Sequence, residues 1–371
     1  MTTPDIAVVG GGLLGRCLAW RASRAGAKVA IYDSFGPAGE GSAAWAAAGM
    51  IAPGSEAADA KAEIVAMGLH SLTLWPSWLA ELPVPVFYRD TGTLLVWHSE
   101  DRGEALRCER MLAARNALGK MRRLSRAQLE ELQPGLPTKF REALYLANDA
   151  QLDNRELLQA IAIALQESNV SCYWHTNVTE DSLIFANVVV DCRGMAARRD
   201  WPVLRGVRGE IVRLHAPDVE LGHMLRLLHP RLAVYIVPRA KGMLVVGATN
   251  VESDDRSPVS VRGALELLGS AYSVLPELAE ARIIEFATQV RPALSDNLPA
   301  FQYDRSLNLL RINGLYRHGF LLTPAIVEEA LSLLSVEGQT NLPGRWPCLR
   351  PTNPETHTAA PHQELSLCSS S

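Results

Sequence analysis

The chain opens on a short apolar run, "DIAVVG" at residues 5–10, that stops at a cluster of glycines. A run of this length, without alternation and closed by turn residues, predicts a strand buried on both faces. "LLGRCLAWRASRAG", residues 13–26, then sets Leu14, Cys17, Leu18 and Ala22 on one helical face. "KVAIYD", 28–33, is a second buried strand. Strand, glycine turn, helix, strand predicts the start of a parallel sheet with helices packed on it. Further along, 56–81 reads as helical through Ile64, Met67, Leu74 and Leu79, 92–97 as a strand, and 100–118 as a helix. Ser125 caps a helix opened by "LSRAQLEEL". "NRELLQAIAIALQ" is an amphipathic helix, and "NVVVDCRG" is a buried strand ending at Gly194.

Between 205 and 291 the pattern changes. "GEIVRL", "LAVYIVP", "GMLVVGA" and "ARIIEFATQVRP" are alternating or mixed strands joined by turns, with a helix over 260–275. They predict a second, mostly antiparallel sheet carrying a helix. "LNLLRING", 307–314, returns to the buried-strand style and runs into "GLYRHGFLLTPAIVEEALSLL". There Thr323 reads as an N-cap, Pro324 as the first helical residue, and Ile326, Val327, Ala330, Leu331 and Leu334 as one apolar face. From 337 to 371 periodicity fades, and a disordered tail is expected. The fold expected is α/β. A Rossmann-like domain is assembled from 1–75, 143–204 and 292–336, and an α+β, mostly antiparallel domain from 76–142 and 205–291.

Composition narrows the function classes. At 371 residues and 48% apolar the chain can bury two cores. A net charge of −4 argues against nucleic acid as the main partner. Six cysteines at 17, 108, 172, 192, 348 and 368 form no Cys-x-x-Cys pair, and Cys172-x-x-His175 has no second half, so no metal site is expected. A reduced, cytoplasmic protein is expected, with no leader ahead of the strand near Asp5 and no apolar run long enough to span a bilayer.

The chemistry is first visible at Gly10-x-Gly12-x-x-Gly15. Alone this spacing is weak. Here it follows a strand and opens a helix, with Asp33 at the tip of the next strand. In that setting backbone N–H groups and a helix N-terminus meet a pyrophosphate, and the acid meets ribose hydroxyls. The charge of Asp33 disfavours a 2′-phosphate. The small-residue segment "GEGSAAWAAAGMIAP", 39–53, would admit a large planar ligand, with Ser42 near a phosphate, or else serve a helix contact.

Taken together, "IAVVGGGLLGRCLAWRASRAGAKVAIYD", "SAAWAAAGMIAP", "GVRGEIVRL", "YIVPRAKGMLVVGATNVES", "QVRPALSDNLPAF" and "NGLYRHGFLLTPA" resemble the FAD-dependent D-amino-acid oxidase superfamily, and within it the glycine oxidase branch of the ThiO type. The likeness covers about residues 5–335. It implies non-covalent FAD held by Gly10, Gly12, Leu13, Leu14, Gly15, Asp33, Ser42, Ala47, Ala48, Gly49, Met50, Val178, Gly194, Arg291, His318, Gly319, Phe320, Leu321 and Leu322. Arg291 takes the place of the arginine that binds the substrate carboxylate, Tyr235 that of a tyrosine covering it, and Arg317 that of a second arginine at the mouth. Read from residue type alone, a buried ion pair before Pro292 is the lesser alternative for Arg291, whereas a core residue is the preferred reading of Tyr235. His318 is read as a bystander, since hydride transfer from a neutral amine asks for no imidazole. Asn250 stands where the family is usually apolar, Asp191 and Arg193 are expected to form a local ion pair, and Asn154 replaces a common proline.

The implied reaction is oxidation of glycine, sarcosine or a small D-amino acid with O2 as acceptor, giving H2O2 and linked to thiamine thiazole synthesis, in a homo-oligomer. The alternatives are a dehydrogenase passing electrons to a quinone and an FAD subunit of a sarcosine-oxidising complex.

Overall fold

The computed structural model describes residues 3–115, 121–179, 186–231, 233–335 and 346–352. Its first layer is a six-stranded sheet with Ile6–Val9 near the centre, flanked in parallel by Val29–Tyr32 and Val188–Asp191. Ser171–Tyr173 extends one edge in parallel, and Leu309–Asn313 and Ala300–Asp304 the other, the last pair antiparallel. Ala7, Val8, Ile31 and Val190 are fully buried, as expected of strands covered on both faces. The helices Leu13–Arg24, Ala62–Ala80, Asn154–Glu167 and Gly319–Ser335 pack into the same core, through Leu18, Trp75, Leu158 and Ile326 respectively.

The second layer is a nine-stranded sheet. Its spine is the pair Arg205–His215 and Arg282–Ala293, antiparallel over almost their whole length. Met224–Leu227 and Thr93–Val96 pair in parallel within it. The helix Val261–Val274 packs on it through Leu267, Ala271 and Val274. A small third sheet of Met50–Ile51, Tyr88–Arg89 and Ala150–Leu152 ties loops together between the layers. No helix among the described residues is long and apolar enough to cross a membrane.

Several sequence expectations shift. The boundary at 75/76 falls inside the Ala62–Ala80 helix, whose Trp75 and Trp78 lie in the first core. The boundary at 142/143 cuts the strand Glu142–Leu146, which pairs with Thr93–Val96 and Met121–Ser125 in the second sheet. Met121–Ser125 lacks an apolar alternation because it is an edge strand: Arg122 is exposed, and Arg123 pairs with Glu109 and Glu142. Its terminal Ser125 is nevertheless the expected helix cap, with a reciprocal bond to Gln128. The helix expected over 100–118 runs as Arg102–Ala114, and 116–118 lie outside the described residues. The last helix starts at Gly319, one turn before the expected cap. Thr323 is inside it, its hydroxyl donating to the Gly319 carbonyl at 2.7 Å. Of the expected tail, residues 346–352 pack on the first layer: Leu349 is fully buried, Trp346 and Cys348 are partly buried, and Gln302 bridges Thr352. These few apolar residues have no period to announce them. Residues 337–345 and 353–371 lie outside the described residues.

Candidate active site

Because the central strands of the first sheet run parallel, their C-terminal ends, at Gly10, Asp33 and Cys192, open along one edge. The second sheet faces that edge, and a cleft of about 1310 Å³, its open mouth included, runs between them. At one end sits the glycine turn. Gly10 has φ +105°, and a Cβ there would come within 2.6 Å of the Cys192 backbone. A Cβ on Gly15 would lie 1.9 Å from the Gly10 carbonyl oxygen. Both must be glycine for the turn to close. Gly12 is the helix N-cap and supplies no side-chain acceptor, so the first-turn N–H groups stay available to an anion.

Asp33 is held in place. Its carboxylate accepts the N–H of Gly11 and that of Phe35, the latter at 2.7 Å, and it still lines the cleft with lone pairs to offer. Ser42 donates its hydroxyl to the Gly39 carbonyl at 2.7 Å, so a phosphate would have to compete for that proton. Sequence reading missed Arg16. It is fully buried, and its guanidinium donates to the carbonyls of Gly11, Pro37 and Leu158 at 2.5, 2.6 and 2.8 Å. Burial lowers its pKa to about 10, so it stays charged at neutral pH while it fixes the turn behind the cleft. An arginine inside an otherwise apolar helix face was the available signal.

The other end holds the substrate candidates. Arg291 rises from the long second-layer strand. The neighbouring strand makes room for it with Gly209, where a Cβ would sit 2.1 Å from a guanidinium nitrogen. Arg291 donates to the Thr249 carbonyl at 3.2 Å, and among the described residues no carboxylate lies within 4.0 Å of it. The ion-pair reading of Arg291 therefore fails. Desolvation lowers its pKa from 12.5, and desolvation likewise raises that of Tyr235 against the pull of Arg291. A Cβ on Gly247 would meet the Tyr235 hydroxyl at 2.7 Å, so this glycine gives the phenol its space.

Arg317 does not stand beside Arg291 as a free second cation. It pairs with Glu56, at 2.6 and 3.1 Å. Burial alone would raise the Glu56 pKa, but Arg317, His318 and Arg226 hold it at about 2. His318 is buried and 3.6 Å from the same carboxylate; desolvation outweighs that attraction and brings its pKa to about 4, leaving it neutral. Tyr316 donates its hydroxyl to Asn250 Oδ1 at 2.9 Å across the two layers. Asp191 and Arg193 do form the expected ion pair, which also takes in Asp200. Asn154 donates to the Ala44 and Trp45 carbonyls, anchoring the small-residue loop.

The cleft thus gathers Gly10, Gly12, Leu13, Leu14, Asp33, Ser42, Ala47, Val178, Gly194, Arg291, Arg317, Gly319 and Phe320. Gly15, Ala48, Gly49, Met50, Tyr235, His318, Leu321 and Leu322 are not among the residues that line it. Ala48 packs with Val237 and Val245, and its carbonyl accepts from buried Arg239, so it braces the loop from the second-layer side. Tyr316, Asn313, Gln289 and Arg256 line the cleft without having been singled out as site residues.

The residues fit a flavin dinucleotide in three ways: a glycine turn closed to side chains but open to an anion, an oriented acid one strand away, and a long cleft with small residues at 41, 43, 44 and 47. A family model described as FAD dependent oxidoreductase (DAO) matches residues 5–332. The chain is 38% identical over 335 residues to a protein named as a thiamine biosynthesis oxidoreductase ThiO of Rhizobium etli, covering 90% of this chain and 98% of the relative. It is 26% identical to the glycine oxidase of Geobacillus kaustophilus, and overlays the crystal structure of that enzyme with a TM-score of 0.81 over 90% of this chain and 95% of the other. An L-proline dehydrogenase from P. horikoshii shares the fold, with a TM-score of 0.75 at 19% identity over 92% and 95% of the two chains.

Proposed function

Since the chain belongs to the DAO family of FAD-dependent oxidoreductases, we propose that it oxidises glycine, sarcosine or a small D-amino acid at the Cα–N bond. The observation that carries this reading is Arg291: a desolvated guanidinium with no acid of its own among the described residues, lining the same cleft as a glycine turn suited to a dinucleotide. A planar guanidinium in that state is matched to a substrate carboxylate, which it grips through two bonds and so orients the Cα–H. FAD, when bound, supplies the hydride acceptor. Tyr235 backs Arg291 as a neutral phenol. The first-turn N–H groups from Gly319 onward face the cleft at the positive end of a helix dipole, where they suit growing negative charge.

The neighbourhood of Arg291 lacks a group poised to titrate near neutrality among the described residues. Glu56 is an anion down to about 2, and His318 is neutral down to about 4. That is the electrostatics expected where the substrate reacts as its neutral amine and needs orientation in place of a base. O2 is the proposed acceptor, giving H2O2, and the imine product either hydrolyses to the 2-oxo acid and the amine (glyoxylate and ammonia from glycine) or, from glycine, feeds thiazole synthesis for thiamine. The name of the Rhizobium etli relative supports the latter link.

The test is peroxide release by the purified yellow protein with glycine, sarcosine, D-alanine and D-proline. Peroxide from at least one is expected. Anaerobic bleaching of the flavin without peroxide in air would replace the oxidase reading with a dehydrogenase.

A further inference from the structure

A dinucleotide brings a diphosphate with two negative charges into the cleft. The glycine turn meets it with backbone N–H groups and a helix dipole, equivalent to only about half a charge. Arg16, the nearest basic residue in the sequence, is buried behind the turn with its guanidinium committed to carbonyls. Three of the four arginines that line the cleft are also engaged or distant in role. Arg193 is paired with Asp191 and Asp200, Arg317 with Glu56, and Arg291 lies at the substrate end. The fourth is Arg256, in the second-layer segment between Val251–Glu252 and the Val261–Val274 helix. Its side chain is exposed, and no acidic side chain lies within 4.0 Å of its guanidinium among the described residues.

The segment around Arg256 is fastened on both sides. Buried Arg208 donates to the Asp255 carbonyl at 2.8 Å and to the Ser257 carbonyl at 2.9 Å. Asp254 pairs with Arg198 of the turn that begins at Gly194, and the Ser253 N–H donates to the Gly206 carbonyl at 3.1 Å. That turn follows Cys192, whose backbone abuts Gly10. Arg256 therefore lines the cleft from the opposite layer, on a loop braced to the turn that follows Cys192. Its guanidinium is left without an acid there, although Asp254 and Asp255 beside it both have arginine partners.

We propose that Arg256 is the counter-charge for the cofactor diphosphate, so that the second layer, and not only the Rossmann-like layer, holds FAD. The proposal rests on the FAD reading and goes beyond the family assignment, which names no residue for the diphosphate. The same guanidinium chemistry would also suit a second acidic group on a substrate, and the experiment separates the two.

Apoprotein is titrated with FAD and, separately, with riboflavin, which lacks phosphate, following flavin fluorescence for the wild type, Arg256→Ala and Arg256→Lys. Arg256→Ala should weaken FAD about tenfold or more, through loss of one charge-assisted contact. Arg256→Lys should lose less, and riboflavin affinity should stay the same in all three. Apoprotein melting temperatures should coincide, because the side chain is exposed. FAD affinity within twofold of wild type in Arg256→Ala overturns the proposal. So does an equal loss for riboflavin, or a raised KM confined to aspartate or glutamate with FAD affinity unchanged, which moves Arg256 to the substrate site. A wild-type chain that fails to bind FAD overturns the cofactor reading along with this one.

Discussion

Arg291 and Arg317 are both arginines in short glycine- or proline-bounded motifs, yet their surroundings give them different work. Arg317 is neutralised by Glu56 at 2.6 Å, whereas Arg291, in a desolvated place, bonds a carbonyl and has no carboxylate within 4.0 Å among the described residues. A desolvated charge without a partner is costly, and a carboxylate entering beside it recovers that cost as binding. Arg291→Ala should therefore raise KM for every carboxylated substrate by orders of magnitude, equivalent to about 2–5 kcal/mol. Arg291→Lys should restore only part, since an ammonium cannot form the paired bonds. Steady-state kinetics on a substrate series checks both, and an unchanged KM would mean that another group holds the carboxylate.

At the scale of elements, the Gly319–Ser335 helix shows how a sequence rule meets its context. Pro324 sits inside it and cannot donate to the Phe320 carbonyl one turn back. The indole N–H of buried Trp75 donates to that carbonyl instead, at 2.9 Å, and Ser71 Oγ accepts the N–H of Ala325 at 3.2 Å. Two residues of the Ala62–Ala80 helix thus repair the backbone that Pro324 disturbs, which is why the helix can begin at Gly319 and present its first turn to the cleft. Trp75→Phe strands that carbonyl in the core and should cost about 1–3 kcal/mol, read by denaturant unfolding. A smaller loss in this fully packed site would show that the indole bond matters little. The glycine turn is stricter. Gly15→Ala places a Cβ on the Gly10 carbonyl, and the protein should be isolated without FAD, as its visible spectrum would report.

Across the whole molecule, the segment 346–352 closes one side of the first core. Leu349→Ala should cost about 2–5 kcal/mol by denaturant unfolding, and a loss near zero would show that this segment does not close the core. The acid side of the stability profile is set partly by His318. Its folded pKa of about 4 lies below the ordinary 6.5, so between those values the unfolded chain binds a proton that the native protein does not. Stability attributable to it is complete above about 6.5 and falls as pH drops toward 4. Asp149 acts in the opposite sense. Burial raises its pKa to about 6 although it accepts N–H bonds from Gly54 and Ser55, so its contribution grows more favourable as pH falls below 6. Melting temperatures of His318→Asn should therefore decline less steeply than wild type between about pH 6.5 and 4.5, and parallel slopes would remove His318 from this account.

Sequence by itself determined the parallel start of the first sheet, the glycine turn, Asp33, the Ser125 cap and the change to antiparallel strands after 205. Each is a local matter: burial on both faces, a required backbone geometry or a capping bond writes itself into a few adjacent residues. Only the tertiary structure decided the partners of those residues. It assigned the strand Glu142–Leu146 to the second sheet, docked Leu349, buried Arg16 behind the turn, gave Glu56 to Arg317 and left Arg291 and Arg256 without acid partners among the described residues. Those outcomes depend on charges and carbonyls far apart along the chain. Pairing energy acts through space, and no periodicity records which distant group will arrive.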